Sequence, residues 1–157
     1  MVDPRAFRDA LSCYPTGVTL VATRHKGAGV AMTVNSFASV SLDPPLILWS
    51  VGRDTDRYEA FISADRFSVN ILRDSQMNLA QHHAMDAAVN DRDWSTGEDG
   101  IPVLTDALAH ILCETHTIHD GGDHKIIVGK VLSLDSQESG GALTFFRSRY
   151  GAASEDE

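Results

Sequence analysis

Apolar side chains recur along this chain with two periods, and the switches between them mark out its elements. Phe7, Ala10 and Leu11 repeat at the three- and four-residue spacing of one helix face, with Asp3 as a cap and Pro4 in the first turn. The spacing predicts a short opening helix that Pro15 and Gly17 end. β-Branched residues are dense over 18–23, turn residues fill 25–29, and an extended apolar run resumes over 30–34, which predicts a hairpin. Ser41-Leu42-Asp43-Pro44-Pro45 removes two backbone donors and reads as a loop. It leads into Leu46-Ile47-Leu48-Trp49, a strand apolar on both faces. A second helix is expected over 55–64, where Tyr58, Phe61 and Ile62 share a face and Asp54 or Thr55 can cap.

The later half is extended for the most part. A strand over 67–72 precedes a third helix, capped by Ser75 and carrying Leu79, Ala80 and His83 on one face. Polar residues 90–100 read as a loop, and 107–119 as a strand with neither face uniformly polar. Asp120-Gly121-Gly122-Asp123 is a turn, 125–134 a strand, Gly140-Gly141 a turn and 143–146 a last strand. Strands that follow strands, with only two internal helices, exclude the alternation of a doubly wound parallel sheet. The expected fold is mainly β with short helices, closed as an antiparallel barrel. One domain over 1–150 is expected, followed by an acidic tail over 151–157 that ends in Glu155-Asp156-Glu157.

Charge narrows the partners. Thirteen Lys and Arg against twenty-two Asp and Glu leave −9, which repels a phosphate-rich polymer, so no nucleic acid is expected. No apolar run approaches the length of a membrane span and the opening residues lack a secretory pattern; a cytoplasmic protein is expected, with no membrane partner. Cys13 and Cys113, far apart, make neither a metal knuckle nor a disulfide framework and read as small buried apolar residues. No metal site is expected either. His82 and His83 are adjacent on a helix, where neighbours point about 100° apart, and His116 and His119 leave opposite faces of a strand. There is no nucleophile elbow and no P-loop, and Gly27-Ala28-Gly29 lies between two strands rather than between a strand and a helix.

Three clusters carry candidate chemistry. In Thr33-Val34-Asn35-Ser36-Phe37-Ala38-Ser39-Val40-Ser41 a strand runs into a loop dense in hydroxyls with one amide. These groups suit the edge of a polar heterocycle and a phosphate, or serve the loop's own backbone. Gly121-Gly122-Asp123-His124 presents an imidazole at a strand mouth, where it is either solvated or part of a site. Phe145-Phe146-Arg147-Ser148-Arg149-Tyr150 sets two cations beside aromatics, for a phosphate or a ring, or simply as a strand end facing solvent.

In this order, these segments resemble the flavin reductase family, the small NAD(P)H-dependent partners of two-component flavin monooxygenases. The stretches that carry the likeness are Phe7 to Val21 with its Tyr14-Pro15-Thr16-Gly17-Val18, the run from Thr33 through Pro45, residues 67–72 and 100–104, Gly122-Asp123-His124, and Phe146 to Gly151. The resemblance implies a split β-barrel of Greek-key, FMN-binding type, with FMN or FAD in its groove and NADH or NADPH as electron donor. It implies a homodimer and a separate monooxygenase component. By the same resemblance Thr33 and Asn35 lie near the isoalloxazine and ribityl groups and Ser39 and Ser41 near the phosphate. Val34, Ser36 and Val40 belong to the same binding stretch. Ser50 and Val51 would line the ring, Arg53 and Thr55 lie near the phosphate end with Thr55 capping a helix, and His124 borders the nicotinamide. Arg147 and Tyr150 close the site or touch the dinucleotide, although Ser148 stands where the family usually has Gly. The alternative is a module on the same fold that carries or senses flavin without turnover. Residues 82–95 depart most from the family and supply no site residue.

Overall fold

The computed structural model describes residues 1–155. Helix α1 (Pro4–Ser12) is followed by β1 (Thr16–Gly17), β2 (Thr19–His25), β3 (Ala28–Val34), β4 (Ala38–Leu42) and β5 (Pro45–Gly52). Then come α2 (Tyr58–Ile62), β6 (Arg66–Ile71), α3 (Met77–Met85), β7 (Trp94–Thr96), β8 (Pro102–Leu104), β9 (Ala109–Gly121), β10 (His124–Ser136), β11 (Ala142–Phe146) and β12 (Arg149–Ala153). Seven strands form one antiparallel sheet in the order β3-β2-β6-β9-β10-β5-β4; β1 joins the β11–β12 hairpin, and β7 pairs with β8.

That sheet cannot be flat. Seven strands at the usual spacing are roughly 29 Å wide, whereas only residues 35–37 join edge strand β3 to edge strand β4, a link that reaches about 14 Å. The sheet therefore curls, and its concave side is the main core: Val21, Val34, Ile47, Trp49, Val51, Phe67, Val69, Cys113 and Ile127, from six strands, close around Phe61 of α2. Trp49 and Phe61 pack edge to face at 4.9 Å. Gly129 is required there, since a Cβ would lie 2.6 Å from Cζ of Phe67. A second core on the convex side holds Val18, Leu20, Leu72, Ala80, Trp94, Leu104 and Leu143, and packs α3, β7–β8 and β11 onto β2.

The ring expected to be closed is open at one seam. Among the described residues no ladder joins β3 to β4, because the outer edge of β3 is taken by residues 87 and 88, with the Ala31 N–H donating to the Ala87 carbonyl at 2.9 Å. Other expectations shift for local reasons. Residues 38–42, read as loop, form β4 by pairing with β5 across a tight turn. β5 alternates, burying Ile47, Trp49 and Val51 and leaving Leu46, Leu48 and Ser50 half covered. Helix α2 begins at Tyr58, so Thr55 does not cap it; its hydroxyl instead accepts from the Arg57 N–H at 3.4 Å, in the turn before. Ser75 is no cap either, as Gln76 Oε1 accepts the Arg73 N–H at 2.8 Å. Trp94 turns part of the expected 90–100 loop into β7 by burying its indole. β12 carries the sheet to Ala153, so the expected tail is reduced to Ser154 and Glu155 within the described residues; Asp156 and Glu157 lie outside them. Cys113 is buried as expected, but Cys13 is exposed at the end of α1, which buries none of its residues.

Candidate functional site

The loop that joins the two sheet edges passes beside the β11–β12 hairpin, and the seam between them is a cleft. Val18, Thr33, Asn35, Ala84, Phe145 and Tyr150 line about 180 Å³ of it. A longer groove of about 710 Å³ shares Val18 and Asn35 and continues between Tyr14 to Thr19 on one side and Ser36, Phe37 and Ala38 on the other. On the far side of Tyr150, Thr144, Phe146, Arg147 and Arg149 border a further 540 Å³. The fold thus brings Thr33, Asn35 and Ser36 beside Tyr150, more than a hundred residues away in the chain, and leaves Arg147 on the far side of that ring.

Each of these side chains is held differently. The Thr33 hydroxyl donates to the Ala80 carbonyl of α3 at 2.6 Å, which leaves only its oxygen lone pairs for a ligand. Ser36 Oγ accepts the Ser50 N–H at 2.9 Å and donates to the Ser50 carbonyl at 3.2 Å, so it pins the loop to β5. Asn35 is exposed, and its amide has no partner within the described chain. Ser39, Val40 and Ser41 lie on edge strand β4, where a bulge between Ser39 and Ser41 breaks the register at Val40. The side chains of Val34 and Val51 point into the concave core, Val51 with no exposed surface, so only their backbone is available to a ligand. Arg147 and Ser148 form the β11–β12 turn with φ of 48° and 62°, the left-handed region that glycine usually fills. The turn is anchored by the Arg147 N–H on the Ser12 carbonyl at 3.0 Å. Tyr150 packs against Phe145 at 5.1 Å across the hairpin.

A second group sits at the end of β5. His124 pairs with Gly52, and Ser50 pairs with Ile126 two residues along, so the imidazole stands on the same sheet face as Ser50 and the loop it holds. His124 Nδ1 is 2.7 Å from Asp123 Oδ1. That contact holds the Asp123 carboxyl below the usual carboxylate range. Asp120 is held low as well, first by the Lys125 ammonium and then by the Arg53 guanidinium. Arg53, expected near a phosphate, is bonded to Asp120 and to the β9–β10 turn. Thr55 lies in the turn that follows.

The arrangement offers a ligand uncharged donors and acceptors along an edge strand, aromatic walls at Phe37, Phe145 and Tyr150, and two arginines, Arg147 and Arg149, with no carboxylate partner among the described residues. That donor set fits a planar polar heterocycle with a phosphate-bearing tail. Sequence reasoning did not single out Tyr14, Phe37 or Ala84 as lining residues. Tyr14 continues the apolar spacing of α1, which was a usable signal; Ala84 has none, because only the packing of α3 on β3 brings it to the cleft.

A model of the flavin reductase like domain matches residues 11–154. Over 148 residues the chain is 41% identical to the FMN reductase (NADH) SmoA of Agrobacterium fabrum, covering 94% of this chain and 84% of that protein. It is 35% identical over 161 residues to HsaB, the reductase subunit of a flavin-dependent monooxygenase from Rhodococcus jostii, covering 99% of this chain and 81% of HsaB. Among solved structures, the NADH:FAD oxidoreductase SgcE6 of Streptomyces globisporus matches with a TM-score of 0.92 at 33% identity, over 100% of this chain and 98% of that one. The same enzyme in complex with NAD and FAD fragments matches with a TM-score of 0.89 at 34% identity, over 99% and 98%.

Proposed function

The chain belongs to the flavin reductase family, and from that membership we propose that it uses NADH or NADPH to reduce FMN or FAD and supplies the reduced flavin to a separate monooxygenase. It is an NAD(P)H:flavin oxidoreductase. The observation that carries the reading is the cleft in which Asn35, with no internal partner, faces Tyr150 beside an open strand edge. Flavin, when bound, supplies N5 as the acceptor of the hydride that leaves nicotinamide C4. The protein's part is to stack two rings and to exclude other geometries, a task for uncharged donors, which is why no acid, base or nucleophile stands out.

In this reading Asn35 and the Thr33 oxygen take the polar edge of the ring and the ribityl chain, and Ser50 borders the ring. Ser39 and Ser41 take the phosphate. His124, on the same face, borders the nicotinamide, and Arg147 and Tyr150 close over the dinucleotide. We read the curled sheet, open between β3 and β4, as the split β-barrel, since one core joins six of its seven strands. A homodimer is supported by the convex face of β5 and β10, where Leu46, Leu48, Ile126 and Val128 are half covered and neighbouring Val40 is 48% exposed. The likeness to a monooxygenase reductase subunit supports a separate oxygenase as the consumer of reduced flavin. No helix among the described residues is long and apolar enough to cross a membrane.

The test is the oxidation of NADH and of NADPH by the purified protein, with FMN, FAD or riboflavin in catalytic and then excess amounts. Oxidation that saturates with flavin is expected. Flavin binding without oxidation would select the carrier or sensor instead.

A further inference from the structure

Between β9 and β10 the chain turns through only two residues, Gly122 and Asp123, with Gly122 at a φ of 69°. Arg53 ties that turn down in three ways. Its backbone N–H donates to the Asp123 carbonyl at 2.9 Å, its Nε to the Gly122 carbonyl at 3.0 Å, and its Nη2 to Asp120 Oδ1 at 2.5 Å. The Lys125 ammonium meets the same carboxylate oxygen at 2.6 Å. A guanidinium fork used in this way is committed in both direction and charge: a phosphate would have to displace a carboxylate already held by two cations.

Two of the three bonds end on the residues immediately before His124. The imidazole in turn places Nδ1 against Asp123 Oδ1, a carboxylate that accepts the Nδ1 proton, and turns Nε2 away from that contact. That nitrogen lies over Gly52, 3.6 Å from where a Cβ would stand, an ordinary van der Waals distance. We propose that Arg53 is a positioning residue for the nicotinamide, acting through the β9–β10 turn on the His124 imidazole, and is not the cation that holds the flavin phosphate. This rests on the reading of His124 as the nicotinamide contact.

The test compares Arg53→Gln, Arg53→Lys, Asp120→Asn, His124→Ala and the Arg53→Gln/His124→Ala pair in the full chain. Arg53→Gln is expected to raise the KM for NADH about five- to tenfold, the effect of losing an orienting hydrogen bond, while kcat stays within about twofold. The ratio of FMN to riboflavin affinity is unchanged. Asp120→Asn moves KM in the same direction, and Arg53→Lys, which keeps the charge but not the fork, fails to restore it. In the His124→Ala background, Arg53→Gln adds less than about twofold. Amide exchange over residues 121–125 quickens in Arg53→Gln. A loss of FMN preference at constant KM, rescue by lysine, or additive effects with His124→Ala would each overturn the assignment. Should His124→Ala leave the KM for NADH unmoved, the nicotinamide reading of His124 falls and exchange alone judges the clamp: unchanged protection of residues 121–125 defeats it, faster exchange sustains it.

Discussion

His83 makes folding of this chain sensitive to mild acid. Its side chain has no exposed surface, and the Trp94 indole N–H donates to its Nε2 at 3.3 Å. An indole N–H can only donate, so Nε2 must keep its lone pair and the ring proton sits on Nδ1, 3.0 Å from the Asp86 carbonyl. A second proton would face the indole N–H. Burial is the largest influence on the His83 pKa and lowers it from the ordinary 6.5; the Asp86 carbonyl opposes, while nearby His82 and Arg57 reinforce the lowering. The unfolded chain therefore binds a proton near pH 6.5 that the folded chain refuses until the pH is lower. Stability is full above that point and is lost as pH falls from about 6.5 toward the folded value, with a slope of up to about 1.4 kcal/mol per pH unit. His83→Gln keeps an acceptor for Trp94 and a donor for Asp86 but cannot titrate. Urea unfolding of both proteins at about pH 7.5 and about pH 5.5 isolates the difference, because the carboxylates are common to both. The parent should lose more stability than His83→Gln between the two, by at most about 1.4 kcal/mol. Equal losses would refute the argument that His83 is held neutral.

Three further outcomes are expected. Gly129→Ala drives a methyl into the Phe67 ring and the Cys113 side chain and should cost about 1–3 kcal/mol in urea unfolding; Gly17→Ala, with nothing within 4 Å, should stay within about 0.5 kcal/mol. The Ser39→Ala/Ser41→Ala double variant should bind FMN no more tightly than riboflavin in a fluorescence titration, and a retained preference would remove these hydroxyls from the phosphate site. Native protein should react at Cys13 alone with a thiol reagent at neutral pH, since burial pushes the Cys113 thiol up to about 12; mass spectrometry should find the second adduct only after unfolding.

The hairpins and most strands were legible because their signals are local. Gly122 and the β-branched runs act on their own backbone, and Asp3 accepts from the Arg5 and Ala6 amides as its position before Pro4 required. Residues 38–42 alternate apolar and hydroxyl side chains, a strand signal masked by the hydroxyl-rich loop reading, and pairing with β5, with a bulge at Val40, makes them extended. Trp94 similarly looked like one aromatic in a polar loop until His83 and Leu104 gave it somewhere to be buried.

For the site, the sequence by itself determined the chemical inventory: an acidic chain with hydroxyls and one amide at a strand exit, an imidazole after a tight turn, and arginines beside aromatics near the end. Those types follow from the side chains alone. Which of them are free to meet a ligand was decided only by the tertiary structure. Thr33 gives its proton to α3, Ser36 is spent on β5, Val34 and Val51 face the core, and Arg53 is claimed by Asp120, whereas Asn35 is left with no partner. The reason is that a hydrogen-bonding group is satisfied by whatever the fold brings within about 3 Å of it, and no local pattern carries that information across a hundred residues of chain.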